Sequence, residues 1–226
     1  MKRALSYLLP ACALFMLLFS TAQARSFTEG IHYGVISPPV STQAEEGNVD
    51  VTEVFWYGCP HCFNLEPTIE AYLKQKPDNV TFNPVPAMLG PRWVFHGKLH
   101  YVGKMLDSEG KNKVHEKIFA AMHKQRRRID NDNQLRRFFM SLGYKEQDIN
   151  AALKSEDLPK DMAYAREIST KSGLDSVPTI IVGGKYLTSP SMLAGANLIE
   201  VINFLSKMAA QDLASKPAVT KELAAK

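Results

Sequence analysis

Two cysteines stand one helical turn apart in the stretch VTEVFWYGCPHCFNLEP, Val51 to Pro67, with only Pro60 and His61 between them. Three chemistries use thiols at that spacing: half of a metal site, a structural staple, or a disulfide that is made and broken in use. A tetrahedral structural zinc wants four ligands, and no second C-x-x-C exists to complete the set. A staple is also a poor fit, because disulfide stabilisation grows with the closed loop and this loop is nearly as short as possible. Redox chemistry at Cys59 and Cys62 is the leading expectation, with the disulfide itself as the only redox group and no metal.

The elements that must position these thiols are legible on either side. Val51, Val54, Phe55, Trp56 and Tyr57 form a β-branched and aromatic run, as expected of a buried strand, and Gly58 ends it. CPHCFNLEPTIEAYLKQK then reads as a helix with Leu65, Ile69, Tyr72 and Leu73 on one face. Cys59 falls at its N-cap and Pro60 at the first helical position, where a missing N–H costs nothing. The sulfur of Cys59 therefore lies among unpaired N–H groups at the positive end of the helix dipole, which stabilises a thiolate. His61, if cationic or donating, adds to this. Each tenfold gain for the thiolate stabilises the reduced form by about 1.4 kcal/mol, or about 30 mV toward stronger oxidising power in a two-electron couple. Cys62, one turn further in, is expected to be buried and to act as the resolving thiol. Pro67 removes the bond to the Phe63 carbonyl and predicts a kink.

Compartment decides what two thiols can do. Lys2 and Arg3 precede an apolar run from Leu8 to Phe19, too short to span a bilayer comfortably, and Ala22-Gln23-Ala24 supplies small residues at cleavage-site spacing. This is the pattern of a secretory signal cut after Ala24, and Cys12 leaves with it. The remaining 202 of 226 residues suffice for one domain with an insertion. Losing Lys2 and Arg3 lowers the net charge from +4 to about +2, too small a bias to imply nucleic acid as partner. Outside the inner membrane, thiols oxidise and stay oxidised.

Further along, VTFNPVPA reads as a strand that two prolines confine to an exposed or bulged end. From Pro91 to about Ser172 the period becomes helical: Leu99, Val102 and Leu106; Val114, Ile118 and Met122; Leu135, Phe138, Phe139 and Leu142. Gly143 and Gly173 sit where helices stop. The three arginines Arg126 to Arg128 read as a solvated helix end. His32, His96, His100, His115 and His123 read as structural or surface residues. TIIVGGKYLT predicts two strands around a two-residue turn at Gly183-Gly184, and SMLAGANLIEVINFLSKMAA a closing helix. Pro190, Met192 and Leu193 are expected to line an apolar groove, methionine being suited to varied peptides. The tail 209–226 is expected to be disordered.

Strand, C-P-H-C, helix and the distant GLDSVPTIIVGGKY together resemble the thioredoxin fold, and Cys-Pro-His-Cys with Val-Pro is similar to the DsbA group of periplasmic disulfide oxidases, over residues 27–208. The resemblance implies an α/β thioredoxin unit (25–90 and 173–208) carrying an all-α helical insertion (91–172). It implies a cis bond at Val177-Pro178 facing the cysteines, with Val177 offering its backbone to an extended substrate peptide. It also implies that Glu53 is a buried acid relaying a proton to Cys62, with its pKa raised by burial; the basic companion usual on the next strand is replaced by Thr81, Phe82 and Asn83. The implied activity is donation of the Cys59–Cys62 disulfide to unfolded exported proteins by a monomer, with reoxidation by a DsbB-like membrane quinone reductase. A disulfide isomerase or reductase of the same fold is one rival, although residues 25–48 are too short for the dimerisation module such proteins carry. A Cu(I)-sequestering protein using Cys59, Cys62 and His61 is the other. Replacing His61 with Ser is expected to lower the reduction potential, by about 30 mV for each tenfold loss of thiolate stabilisation, and to leave the fold intact. Redox equilibration with glutathione and far-UV circular dichroism check the two halves.

Overall fold

The seven residues of β2 (Val49–Phe55) are all buried, because the strand is hydrogen-bonded on both edges and covered on both faces. The computed structural model describes residues 26–215. β2 runs parallel to β3 (Val80–Pro86) and antiparallel to β4 (Thr179–Val182). β4 pairs with β5 (Tyr186–Thr188), and β5 with the two-residue β1 (Gly34–Val35), giving the order β1-β5-β4-β2-β3. β3 is thus an edge strand, where Pro84 and Pro86 are tolerated, and its register with β2 is continuous, without a bulge.

α1 (Pro60–Leu73) and α7 (Leu198–Ser215) cover the face of the sheet that carries Val49, Val51, Ile180 and Val182. α1 continues through Pro67, and Leu73, expected on its buried face, is 41% exposed at the helix end. Residues 91–172 form five helices, as the periodicity implied: α2 (Pro91–Leu106), α3 (Val114–His123), α4 (Asp132–Ser141), α5 (Glu146–Leu153) and α6 (Asp157–Lys171). Their buried residues include Leu99, Val102, Val114, Ile118, Leu135, Phe138 and Phe139, packed into one core with Val54 and Ile181 of the sheet. Gly143 and Gly173 follow the helix ends with φ of 94° and 68°.

Three further expectations shift. Arg126 to Arg128 follow α3 in a loop, Arg126 at φ 55°, with Arg128 against Asp130 and Arg127 over the Phe138 ring, because the chain must turn before α4. The β4–β5 loop contains three residues, since Val182 pairs with Tyr186 and Lys185 joins the two glycines in the turn. The chain is helical beyond residue 208: α7 extends to Ser215, where Asp212 accepts from Lys185 Nζ at 2.8 Å and Tyr186 Oη at 2.7 Å. Residues 216–226 and the expected signal segment lie outside the described residues.

Gly184 has φ 67°, and a Cβ there would run into the Val40 carbonyl. Gly184→Ala is therefore expected to cost about 2 kcal/mol, the scale of one strained backbone position plus a clash, measured as a lower urea midpoint with unchanged slope.

Candidate active site

The head of α1 forms as the sequence implied. Cys59 is the N-cap in extended conformation (φ −91°, ψ 118°), its N–H donates to the Trp56 carbonyl at 2.9 Å, and Pro60 opens the helix. Gly58 is required by crowding, since any Cβ there would enter the Trp56 indole. Trp56 itself stacks on Trp93 with centroids 4.2 Å apart. Cys59 and Cys62 are free thiols, the first 8% exposed and the second fully buried. Burial pushes the Cys62 thiol well above the ordinary thiol range, against a backbone hydrogen bond from Trp56 that favours the thiolate. Cys62 is thus held protonated, and Cys59 is the sulfur a partner can reach.

Val177-Pro178 is cis, and the Val177 carbonyl accepts from Cys59 Sγ at 3.5 Å across a sequence separation of 118. Beside this contact lies a groove of about 470 Å³ walled by His61, Leu65, Val177, Pro178, Pro190 and Ser191. His61 is exposed on its rim. Met192 and Leu193 do not line it: the 3₁₀ turn Pro190–Met192 presents Pro190 and Ser191 to the groove, while Leu193 packs against the α7 side of the core.

Glu53 is 1% exposed, so its carboxyl is buried in the sheet, as the resemblance implied, and does not face water. Its neighbours in register are Pro84 and Ile180, and its Oε1 has no hydrogen-bond partner. Asp50, three residues earlier and equally buried, is saturated by Gln43 N, Thr52 Oγ1 and Asn83 Nδ2 at 2.6 to 3.0 Å. Burial raises the Glu53 carboxyl well above the usual range, and the charge of Glu66 raises it further.

Four of the histidines carry more than the sequence suggested. His115 Nδ1 lies 2.8 Å and His100 Nδ1 3.2 Å from Tyr57 Oη, His115 Nε2 faces Glu66 at 3.5 Å, and His123 Nε2 is 2.8 Å from the Tyr57 carbonyl. His96, on the turn before His100, stacks near Trp56 and faces Asp130. The signal available was helical spacing: His96 and His100 share a face of α2, and His115, Phe119 and His123 a face of α3. Among the described residues no group of three His, Cys, Asp or Glu is placed to hold a metal.

A family model for a DSBA-like thioredoxin domain matches residues 98–203. The chain is 32% identical over 175 residues to the thiol:disulfide interchange protein DsbA of Pseudomonas aeruginosa, covering 77% of this chain and 81% of that one. It is 32% identical over 208 residues to the DsbA of Burkholderia cepacia, covering 92% and 97%. The chain belongs to the DsbA family. The solved structure of P. aeruginosa DsbA superposes with a TM-score of 0.70 at 29% identity, covering 83% of this chain and 95% of the other. Reduced DsbA1 of Neisseria meningitidis gives 0.72 at 25%, covering 84% and 98%. This DsbA-family protein is accordingly a thiol:disulfide oxidoreductase of the thioredoxin fold. The family acts on substrate proteins with a membrane partner, and its members are periplasmic.

Glu53 gives the site a stability signature. A carboxyl whose folded pKa lies above its unfolded value binds more protons when folded, so its favourable contribution is complete below about pH 4.3 and is lost as pH rises. Glu53→Gln is expected to match the parent in urea stability near pH 4 and to exceed it increasingly above, by up to about 1.4 kcal/mol per pH unit.

Proposed function

We propose that the protein donates a Cys59–Cys62 disulfide to newly exported chains with free cysteines. The observation that carries this reading is the Cys59 sulfur, the accessible member of the pair, set against the Val177 carbonyl beside an apolar groove. A substrate segment in extended form pairs with the backbone of Val177 and lays side chains in the groove. Its thiolate attacks Cys59 Sγ; the new S–S bond forms as the Cys59–Cys62 bond breaks. Cys62 leaves with the electron pair and takes a proton from Glu53, the buried acid on β2. A second substrate thiolate then attacks the substrate sulfur of the mixed disulfide, and Cys59 departs as a thiolate stabilised at the head of α1. The substrate gains a disulfide and the protein is left as the dithiol. His61 at the groove rim and Pro60 at the first helical position tune Cys59.

The disulfide is the only redox group the cycle uses. Reoxidation falls to a DsbB-like quinone reductase in the inner membrane, and the protein works as a monomer in the periplasm after a signal peptide is cut behind Ala24. Residues 26–48 favour this over a dimeric isomerase, because they fold onto the protein's own sheet: β1 pairs with β5, and Val40 N–H donates to the Gly184 carbonyl at 2.9 Å. Glutathione equilibration of the Cys59–Cys62 couple tests the direction of transfer. A potential more oxidising than about −180 mV is expected, and a value near or below about −270 mV assigns a reductase instead.

A further inference from the structure

Glu53 is sealed in. Pro84 and Ile180 flank it in the sheet, no donor reaches its Oε1, and the carboxylate whose charge it feels is Glu66, one turn beyond Cys62 on α1. An acid that gives a proton to Cys62 on every cycle must be reloaded from water, and the thiol side is closed by Cys62 itself, which is fully buried. The opening lies on the other side. Glu66 is 13% exposed, its Oε1 is buried without a hydrogen bond, and that atom faces His115 Nε2 at 3.5 Å. The His115 side chain is 24% exposed and lines a cleft of about 400 Å³ behind Tyr57, rimmed by Lys104, Asp107, Glu109, Lys113 and Glu116.

We propose that His115 is the proton port of this site, a positioning residue that joins the partly buried Glu66 and the buried Glu53 to water in the cleft behind Tyr57. The inference rests on the reading of Glu53 as the proton donor to Cys62. As imidazolium, His115 directs Nε2–H at Glu66 and Nδ1–H at Tyr57 Oη, 2.8 Å away. Tyr57 Oη in turn donates to His100 Nδ1 at 3.2 Å, and burial holds His100 neutral and Tyr57 protonated. When the Nε2 proton passes to Glu66, the neutral ring keeps its Nδ1–H bond to Tyr57 and stays in place. Glu66 hands the proton on to Glu53, and cleft water restores the imidazolium. One solvent proton thus replaces the one that Cys62 takes from Glu53, and reoxidation runs the same route outward. The groups that face His115 come from three helices: Glu66 of α1 lies 3.5 Å from its Nε2, the His100 ring of α2 stands edge-on at 5.6 Å, and Lys104 of α2 and Glu116 of its own helix line the same cleft. The Phe55 and Phe119 rings fix the edge-on orientation, with centroids 4.9 and 5.1 Å away.

The test is the rate at which excess dithiothreitol reduces the oxidised protein between pH 5 and 8, by acid quench, alkylation and mass. His115→Gln keeps side-chain hydrogen bonding but cannot carry a proton; it is expected to slow reduction about tenfold at neutral pH and flatten the profile, less than the roughly 10²- to 10⁴-fold worth of a direct acid–base group. His115→Ala is expected to be equally slow, and imidazole in the buffer, entering through the cleft, to restore its rate. Glu53→Gln is expected to be slow with no response to imidazole. A parental rate and profile in His115→Gln, or a slow His115→Ala that imidazole leaves unchanged, overturns the port while the Glu53 reading stands if Glu53→Gln remains slow. Parental rates in both Glu53→Gln and His115→Gln overturn the two together.

Discussion

The antiparallel pairing of β2 with β4 sets where everything chemical can be. Val54 lies opposite Thr179, so the chain leaving β2 toward Cys59 and the chain entering β4 from Pro178 occupy the same end of the sheet. A contact between Cys59 and Val177 then follows from register, however many residues intervene, and those residues are free to become a helical block of their own. A slip by one residue would reverse the faces of β2, turning Val49, Val51 and Glu53 away from α1 and α7. Specificity at the thiols is thus inherited from hydrogen bonds within the sheet rather than from contacts made by the sulfurs.

The same strand carries two buried carboxylates treated in opposite ways. Asp50 is given three donors and ties the Gln43 loop to Asn83 of β3, which is structural use of a buried acid. Glu53 is left short of partners, which costs stability unless the proton stays on. Retaining such a group under a redox pair makes sense when protons must cross a dry interior. Phe55, Tyr57 and Phe119 pack their rings around His100 and His115 on the side away from the thiols, and so fix the two imidazoles in place.

What the sequence disclosed and what it hid divide by range of interaction. Cys59 at an N-cap followed by Pro60, and the i, i+3, i+4 pattern at Leu135, Phe138 and Phe139, are local features, and they folded as read. The prolines at 84 and 86 suggested an exposed or bulged end, whereas β3 is accommodated as an unbulged edge strand with none of its residues exposed. β1 was not, because two residues carry no period and are held only by β5. The last turns of α7 were missed for a similar reason: Asp212 anchors them to the distant Lys185 and Tyr186. Helical spacing put His96 with His100 and His115 with His123, but His100, His115 and His123 meet Tyr57 only once α2 and α3 pack over the end of β2, so their common partner was not legible. Met192 failed because a 3₁₀ turn rotates neighbours by a third of a circle each, and only Pro190 and Ser191 end on the groove.

The chain has two tryptophans, and they are the stacked pair Trp56 and Trp93. All of its indole chromophore is therefore concentrated at one point, three residues from Cys59, with the two rings only 12° from parallel. One ring directly follows β2 and the other stands in the first turn of α2. The near-ultraviolet signature of the molecule is in effect a single local signal, taken at the seam where the helical block meets the thiol-bearing turn, and light absorbed elsewhere in the protein is left to tyrosine and phenylalanine.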